Sequence, residues 1–171
     1  MKKIIILNGS PRKNGRTSEL VKAFTKGAKE SGNEIREFYL QGMDIRGCLG
    51  CNACKNRLPA ADPCVQKDDM TEIYEAFQWA DIVVFASPVF WFTITGTLKT
   101  AVDRLYALTH PFGHAGFKKD SVLLMTAGAP VYDQPLEWYA GFKKYMEWHS
   151  LGEMLGAGKT EEARQLGAGI H

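Results

Sequence analysis

The sequence begins with a short apolar strand, a loop rich in glycine and hydroxyl groups, and the start of a helix. The strand is predicted over residues 3–8, and the loop over residues 9–18 has the sequence Gly-Ser-Pro-Arg-Lys-Asn-Gly-Arg-Thr-Ser. Apolar residues then recur at helical spacing from Leu20 to Ala28. A loop between a buried strand and a helix N-terminus presents backbone N–H groups and the positive end of the helix dipole to an anion. Together with its arginines, which can form forked bonds to phosphate, the segment predicts a phosphate cradle.

These residues alone leave a simpler interpretation open. In an ordinary β–α turn, Gly9 and Gly15 would serve only the backbone geometry, and Thr17 or Ser18 would only cap the helix.

The spacing of the loop limits which phosphate it could hold. The dinucleotide pattern G-x-G-x-x-G is absent, and the NTPase pattern G-x-x-x-x-G-K-[ST] fails because five residues separate Gly9 from Gly15 and Arg16 replaces the lysine. A magnesium-binding Asp is also missing from the exit of the strand predicted over residues 81–86, which carries Asp81 at its entry instead. The terminal phosphate of a mononucleotide cofactor fits better.

The rest of the chain alternates between predicted strands and helices. This alternation predicts one α/β domain over residues 1–171, with a doubly wound, five-stranded parallel sheet in a three-layer α/β/α arrangement and the flavodoxin-like strand order 2-1-3-4-5. Ligands of such sheets bind beyond the carboxyl ends of the strands, where loops 9–18, 87–96 and 127–132 are expected to meet. The further strands are predicted at 34–40, 81–86, 121–126 and 148–156, and the helices at 17–31, 70–79, about 96–108, 134–147 and 159–167.

The second of these loops carries three aromatic residues in a row, Phe90, Trp91 and Phe92, at a strand exit. A cluster of this kind is seldom exposed without a partner. It suits a flat heteroaromatic ring, and it equally suits burial in the core or in a dimer interface.

All four cysteines lie in a long irregular stretch, residues 41–69. The spacing C-x-x-C-x-x-C of Cys48, Cys51 and Cys54, followed by Cys64, is typical of iron–sulfur ligation. Three interpretations stay open: a [4Fe–4S] cluster, a zinc ion on four thiolates, or no metal, with the loop a vestige or a disulfide formed in air. The length of the loop favours an organising centre, because ordering an unsupported loop costs conformational entropy.

Charge and hydropathy exclude several classes of protein. The net charge of +2 argues neither for nor against nucleic acid, but the basic residues are spread along the chain with no long like-charge run, and we expect no nucleic-acid partner. No apolar run approaches the roughly 20 residues of a membrane span, and no signal-peptide pattern is present. We expect a cytoplasmic protein with no membrane partner, whose thiols stay reduced.

Three ordered segments resemble the NADPH-dependent FMN reductase and iron–sulfur flavoprotein group of the flavodoxin-like superfamily. They are the loop 9–18, the run 87–92 with residues 96–99 and 103–104 of the helix after it, and the cysteine run 48–54 with Cys64 and residues 68–70. The resemblance implies a flavodoxin-like fold, bound FMN, electrons from a nicotinamide or a protein donor, and a homodimer or homotetramer.

The resemblance also implies which residues hold the cofactor. Arg16 departs from an Asn frequent in the group, Phe90 departs from a frequent Tyr, and the gap of nine residues between Cys54 and Cys64 exceeds that of the iron–sulfur members. The FMN phosphate would contact Ser10, Arg12, Gly15, Arg16, Thr17 and Ser18; the ribityl chain and isoalloxazine would contact Pro88, Val89, Phe90, Trp91 and Phe92; Ala127 and Gly128 would lie at the third loop; and Cys48, Cys51, Cys54 and Cys64 would hold a cluster.

The function expected from these features is an FMN-dependent oxidoreductase with NAD(P)H as donor and a small molecule or protein as acceptor. Because the flavin supplies the chemistry, we expect no catalytic side chain. A non-enzymatic, flavodoxin-like electron carrier is the main alternative, although carriers are usually strongly acidic and this chain is not. A flavin-free regulatory domain is the other alternative.

Several further residues are expected to have structural roles. His110, His114 and His149 are predicted to be surface or structural histidines, and Lys99 and the pair Asp103–Arg104 to make helix-surface or interface contacts. An aromatic stripe is predicted to face the core or a dimer interface; it comprises Trp138, Tyr139, Phe142, Tyr145, Met146 and Trp148.

Overall fold

The computed structural model describes residues 1–56, 63–109 and 117–171. Five parallel strands form one sheet in the order β2-β1-β3-β4-β5, which confirms the predicted flavodoxin-like topology. The strands are β1 (Lys3–Asn8), β2 (Glu34–Tyr39), β3 (Ile82–Pro88), β4 (Asp120–Thr126) and β5 (His149–Leu155).

Helices cover both faces of the sheet, as right-handed crossovers between parallel strands require. They are α1 (Arg16–Glu30), α2 (Met70–Trp79), α3 (Gly96–Arg104), α4 (Asp133–Met146) and α5 (Thr160–Ala168). Short 3₁₀ turns occupy Leu40–Gly42, Ala53–Asn56 and Leu105–Leu108.

Successive residues of the central strands point to opposite faces of the sheet, and each face has its own core. Ile4 and Ile6 of β1 pack with Phe24 of α1, whereas Ile5 and Leu7 belong to the core that holds α2, α3 and α4. Because both faces are covered, the central strands are apolar throughout. The aromatic stripe lies largely in the second core: Tyr139, Met146 and Trp148 are buried, Trp138 and Phe142 pack against them, and Tyr145 is exposed.

Helix α1 is held closely against α5 by two glycines. A Cβ on Gly27 would lie 1.8 Å from the backbone oxygen of Arg164, and a Cβ on Gly167 would lie 2.2 Å from that of Phe24. Only glycine permits this approach, and it fixes the helix whose N-terminus follows the predicted phosphate loop.

The element boundaries differ from the predicted ones by a few residues. Strand β3 extends to Pro88, because Ser87 pairs with Met125 and Pro88 with Thr126 of β4. The predicted helix over about 96–108 is α-helical to Arg104 and then tightens into a 3₁₀ turn. His110, His114 and Pro59 lie outside the described residues, as does much of the loop predicted over 109–120. None of the helices in the described part of the chain combines the length and apolar character needed to cross a membrane.

Candidate functional site

A cavity of about 530 Å³ lies where β1, β3 and β4 end, and we call it the cradle cavity. All three loops expected at this edge of the sheet contribute to it. Its lining comprises Ser10, Pro11, Arg12, Asn14, Gly15, Arg16, Thr17, Glu19, Pro88, Val89, Phe90, Thr126, Ala127 and Gly128. The fold therefore brings together ten of the thirteen predicted cofactor residues, and Ser18, Trp91 and Phe92 are outside this lining.

The N-terminus of α1 opens onto the cradle cavity. Gly15 is the N-cap, and no described side chain forms a capping hydrogen bond there. The capping role considered for Thr17 or Ser18 is therefore wrong, and the first amides of the helix remain available to a ligand. Arg12 and Arg16 are exposed at the same end, so the donors and the charge both favour an anion.

Hydrogen bonds within the loop and behind it hold the loop in shape. The buried Asn8 accepts a hydrogen bond from the Ser10 amide (3.1 Å) through Oδ1. The hydroxyls of Ser10 and Ser18 each donate to the Arg12 carbonyl at 3.0 Å. Ser18 thus supports the loop from behind, and hydrogen bonds of the chain itself hold the shape of the loop.

The first loop is also fastened to the start of α3. The Gly9 amide donates to the Ala86 carbonyl (2.8 Å), and its carbonyl accepts from Thr95 Oγ1 (2.9 Å). Thr95 is the N-cap of α3 and accepts from the Leu98 amide (3.3 Å). The two loops therefore keep a fixed separation across the cavity.

Thr126 is a residue of the cavity that the sequence did not single out. It is the last residue of β4, and its hydroxyl lies 2.7 Å from that of Thr17 in a buried pair. Its carbonyl accepts from the Val89 amide (2.7 Å), which joins the third loop to the second. Its position at the carboxyl end of a central strand is the sequence feature that could have identified it, because ligands of such sheets bind at these strand ends.

The three consecutive aromatics form the tip of a tight hairpin. Phe90 and Thr93 exchange backbone hydrogen bonds of 2.9 and 3.1 Å. Between them, Trp91 and Phe92 have φ values of 46° and 70°, which are unusual for residues other than glycine. Phe90 lines the cavity, whereas the Trp91 ring is 91% exposed and contacts Phe92 edge to face. The strained tip thus stands at the rim of the cavity.

The four cysteines line a second, smaller cavity of about 50 Å³, the cysteine cavity. All four are free thiols; Cys48 and Cys51 are exposed, and Cys54 and Cys64 are partly buried. Asn52 and Gly50 have positive φ values of 54° and 63°, which wrap the first part of the loop tightly. Among the residues that the structure describes, no three His, Cys, Asp or Glu side chains form a group that could hold a metal ion.

Arg104 does not make the predicted surface contact. It is buried, and its guanidinium binds both carboxylate oxygens of Asp68, at 2.7 and 3.0 Å. Sequence periodicity missed it because an arginine is buried only where a partner compensates its charge, and Asp68 is 36 residues away in the chain.

The environment shifts the titration of this cluster. Burial alone would raise the pKa of Asp68, but hydrogen bonds from Arg104 and from the Arg46 and Met70 amides lower the pKa below its ordinary value. Burial raises the pKa of Tyr74, whose hydroxyl donates to the Arg104 carbonyl. Arg104 therefore stays charged and Tyr74 neutral at physiological pH.

Other predicted structural residues lie on the surface. Lys99 and Asp103 form an exposed ion pair (2.5 Å) on α3, as predicted. His149 is an exposed side chain 3.6 Å from the Asp120 carboxylate.

About two thirds of the chain is similar to iron–sulfur flavoproteins. An iron–sulfur flavoprotein from Archaeoglobus fulgidus is 38% identical over 114 residues, which are 67% of this chain and 48% of the relative. The matched region is thus about half the length of that relative.

Solved structures share the fold over nearly the whole chain. RosB, solved with a bound 8-demethyl-8-formylriboflavin-5'-phosphate intermediate, superposes with a TM-score of 0.77 at 16% identity, covering 98% of this chain and 77% of RosB. An NAD(P)H:quinone oxidoreductase from Methanothermobacter marburgensis superposes with a TM-score of 0.67 at 22% identity, covering 98% and 96%. At these identities the likeness concerns the fold.

The family model for NADPH-dependent FMN reductase matches residues 2–132. This span contains all three loops of the cradle cavity and the whole cysteine loop. The chain belongs to the NADPH-dependent FMN reductase family.

Proposed function

We propose that this protein is an FMN-dependent oxidoreductase that takes electrons from NAD(P)H and passes them to a small molecule or a protein. One observation carries the proposal: a single cavity joins an anion-binding helix N-terminus to an aromatic loop at the switch point of the sheet. A mononucleotide with a phosphate at one end and a flat ring at the other matches that layout. Membership of the family supports FMN as that mononucleotide.

The residues of the cradle cavity fit FMN. Its volume of about 530 Å³ is in the range of small-molecule sites. We propose that Ser10, Arg12, Gly15, Arg16 and Thr17 hold the phosphate, since they surround an uncapped helix N-terminus. Ser18 would act indirectly, by holding the Arg12 carbonyl.

The second and third loops would hold the rest of the molecule. Pro88, Val89 and Phe90 line the opposite wall, with Ala127 and Gly128 beside them. Gly128 has open space around it, because a Cβ there would meet no described atom within 4 Å. Contacts of Trp91 and Phe92 with the ring stay a prediction, since both side chains stand at the rim.

FMN held by these residues would supply the hydride and electron-transfer chemistry between the nicotinamide donor and the acceptor. The residues of the chain would bind the cofactor and orient it. The hydrogen bonds behind the first loop keep its donors in place, so little order has to be gained on binding. Phe90 adds an apolar ring to the cavity wall.

We propose further that the four cysteines hold an iron–sulfur cluster. The donor set suits one, because four thiols from one loop line the same cavity. Two relatives named iron–sulfur flavoprotein are 38% and 39% identical to this chain over 114 and 106 residues. Zinc on the same four thiolates is the competing occupant.

The decisive experiment is purification of the full chain without oxygen, followed by its visible spectrum and by iron, sulfide and zinc assays on the same sample. A flavin spectrum with broad additional absorbance and about four irons per chain supports both proposals. A flavin spectrum with zinc or no metal supports the FMN site and refutes the cluster.

The donor is tested by anaerobic mixing with NADPH and NADH while flavin absorbance near its visible maximum is followed. Bleaching by either nucleotide within the turnover time supports NAD(P)H as donor. A flavin that only a chemical reductant bleaches would point instead to an electron carrier.

A further inference from the structure

The loop that carries the cysteines is closed at its neck by hydrogen bonds between the segment that enters it and the segment that leaves it. The Asp44 amide donates to Asp69 Oδ2 (2.7 Å), and the Asp69 amide donates back to the Asp44 carbonyl (3.1 Å). Two further bonds join Arg46 Nη2 to the Lys67 carbonyl (2.6 Å) and Gln66 Nε2 to the Gly47 carbonyl (2.9 Å). Hydrogen bonds of the chain itself therefore close the neck at residues 44–47 and 66–69.

Arg104, from outside the loop, binds both sides of this neck. Its Nη1 donates to the Arg46 carbonyl (2.7 Å) on the entering side and to Asp68 Oδ2 (2.7 Å) on the leaving side. Asp68 Oδ2 in turn accepts from the Arg46 amide (3.1 Å), so one carboxylate and one guanidinium close the ring. The Tyr74 hydroxyl holds Arg104 Nε from α2 at 3.3 Å.

The two members of this ion pair differ in their position relative to the cysteine cavity. Both side chains are almost completely buried, with 1% of Arg104 and none of Asp68 exposed. The described residues that line the cysteine cavity include Arg104 but not Asp68. Arg104 thus forms part of the wall of the cavity that the four cysteines share, and Asp68 lies outside that wall. A buried ion pair adds little to stability compared with apolar residues of the same size, so stability alone does not explain its place.

We propose that Arg104 is the positioning residue of the cysteine site: it closes the neck of the loop and presents a buried positive charge to the anionic centre on the four thiolates. The second half of this statement rests on the proposed cluster, and the first half does not. A four-thiolate iron–sulfur centre is anionic, and a nearby fixed cation favours its more negative, reduced form.

The closure is tested on the full chain without iron. The variant Arg104→Met removes the anchor, the double variant Arg104→Met/Asp68→Leu removes it without leaving an unpaired buried carboxylate, and Lys99→Met is the matched loss of an exposed charge on the same helix. FMN content and the melting temperature report whether each variant folds. Limited trypsin digestion with mass analysis then measures cleavage inside the loop, including at Lys55.

Cleavage follows the population of the opened loop, so we expect it to be about tenfold faster or more in both Arg104 variants and unchanged in Lys99→Met. Wild-type cleavage rates in a folded double variant would overturn the proposal. If the single variant fails to fold, the double variant decides the result, because apolar replacement of a buried pair is usually tolerated.

The charge is tested on the iron-loaded chain with Arg104→Lys, which keeps the cation but has no planar fork to bridge three acceptors. We expect both single variants to retain less iron than the wild type. The reduction potential of the residual cluster should fall in Arg104→Met and stay closer to the wild-type value in Arg104→Lys. Equal potentials in all three proteins would overturn the electrostatic role. A wild-type chain that takes up no iron would refute the cluster, and the digestion experiment would still decide whether Arg104 closes the loop.

Discussion

Replacement of Gly9 by alanine tests whether the separation of the first two loops sets the affinity for the cofactor. Gly9 lies at the end of β1, and its carbonyl accepts the Thr95 hydroxyl at 2.9 Å. An added Cβ would lie 2.7 Å from Leu98 Cβ and 2.8 Å from Thr95 Oγ1. Ordinary contacts begin near 3.4 Å, so the loop and α3 must separate by about 0.7 Å.

The size of the effect follows from this overlap. Overpacking of a rigid contact lowers the stability of the folded state by about 1–3 kcal/mol. Alanine also has less conformational freedom than glycine in the unfolded chain, which offsets about 0.4–1 kcal/mol of that loss. We expect a net loss of about 1–2 kcal/mol, or roughly 2–8 °C in melting temperature for a chain of this length. The same shift moves the loop donors relative to Val89 and Phe90, so FMN should bind about tenfold more weakly, which corresponds to about 1.4 kcal/mol.

Thermal melts of the FMN-free chain and fluorescence titration with FMN measure the two effects. Gly96→Ala is the matched control, because a Cβ there would meet no described atom within 4 Å at the start of the same helix. A Gly9→Ala protein with the melting temperature and the FMN affinity of Gly96→Ala would refute the reasoning.

Three further predictions concern the fold and its titration. Gly27→Ala should destabilise the chain by about 2 kcal/mol or more, because its Cβ would lie 1.8 Å from a backbone oxygen of α5. Gly141→Ala is the control: a Cβ there has open space, so this variant should stabilise the chain by about 0.5–1 kcal/mol. Urea titration compares the free energies of unfolding of the two variants. Thr17→Val should lower the free energy of unfolding by about 1–3 kcal/mol, because the buried Thr126 hydroxyl loses its partner. The double variant Thr17→Val/Thr126→Val should recover most of this stability in the same urea titration. Burial lowers the pKa of Lys119 to about 8 from 10.5. Between these two pH values the unfolded chain binds more protons than the folded chain, so folding becomes more favourable as the pH rises. The wild type should therefore gain stability relative to Lys119→Met through this pH window. Melts of both proteins at about pH 7 and about pH 9.5 would contradict this if their difference stayed constant.

The topology of the sheet could be predicted because its information is local. Each central strand is apolar on both faces and each helix has one apolar stripe, and right-handed crossovers then leave few arrangements. The boundary errors arose where tertiary pairing decides, as at Pro88, which reads as a strand end from its sequence but pairs with Thr126.

The sequence could predict those residues of the cradle cavity that lie in the loops directly after the strands. Residues 9–18 and 87–90 carry distinctive patterns, whereas Thr126 looks like any strand residue until its hydroxyl is seen beside Thr17. Trp91 and Phe92 could be recognised as unusual, but their outward direction depends on backbone angles with positive φ that no periodicity encodes.

The role of Arg104 could not be predicted. In the sequence it follows Asp103 on a helix that looks amphipathic, and a surface ion pair is the ordinary expectation. Its burial depends on Asp68, Tyr74 and the Arg46 carbonyl, which come from three other segments. Such long-range polar clusters are visible only once the fold brings the segments together.

The most direct test of the central claim is titration of the flavin-free full chain with FMN and, separately, with riboflavin, followed by quenching of flavin fluorescence. The account predicts one FMN per chain and binding of riboflavin at least about 100-fold weaker, because riboflavin lacks the phosphate that the first loop and the N-terminus of α1 would hold. Equal affinity for the two flavins, or no uptake of FMN, would contradict it.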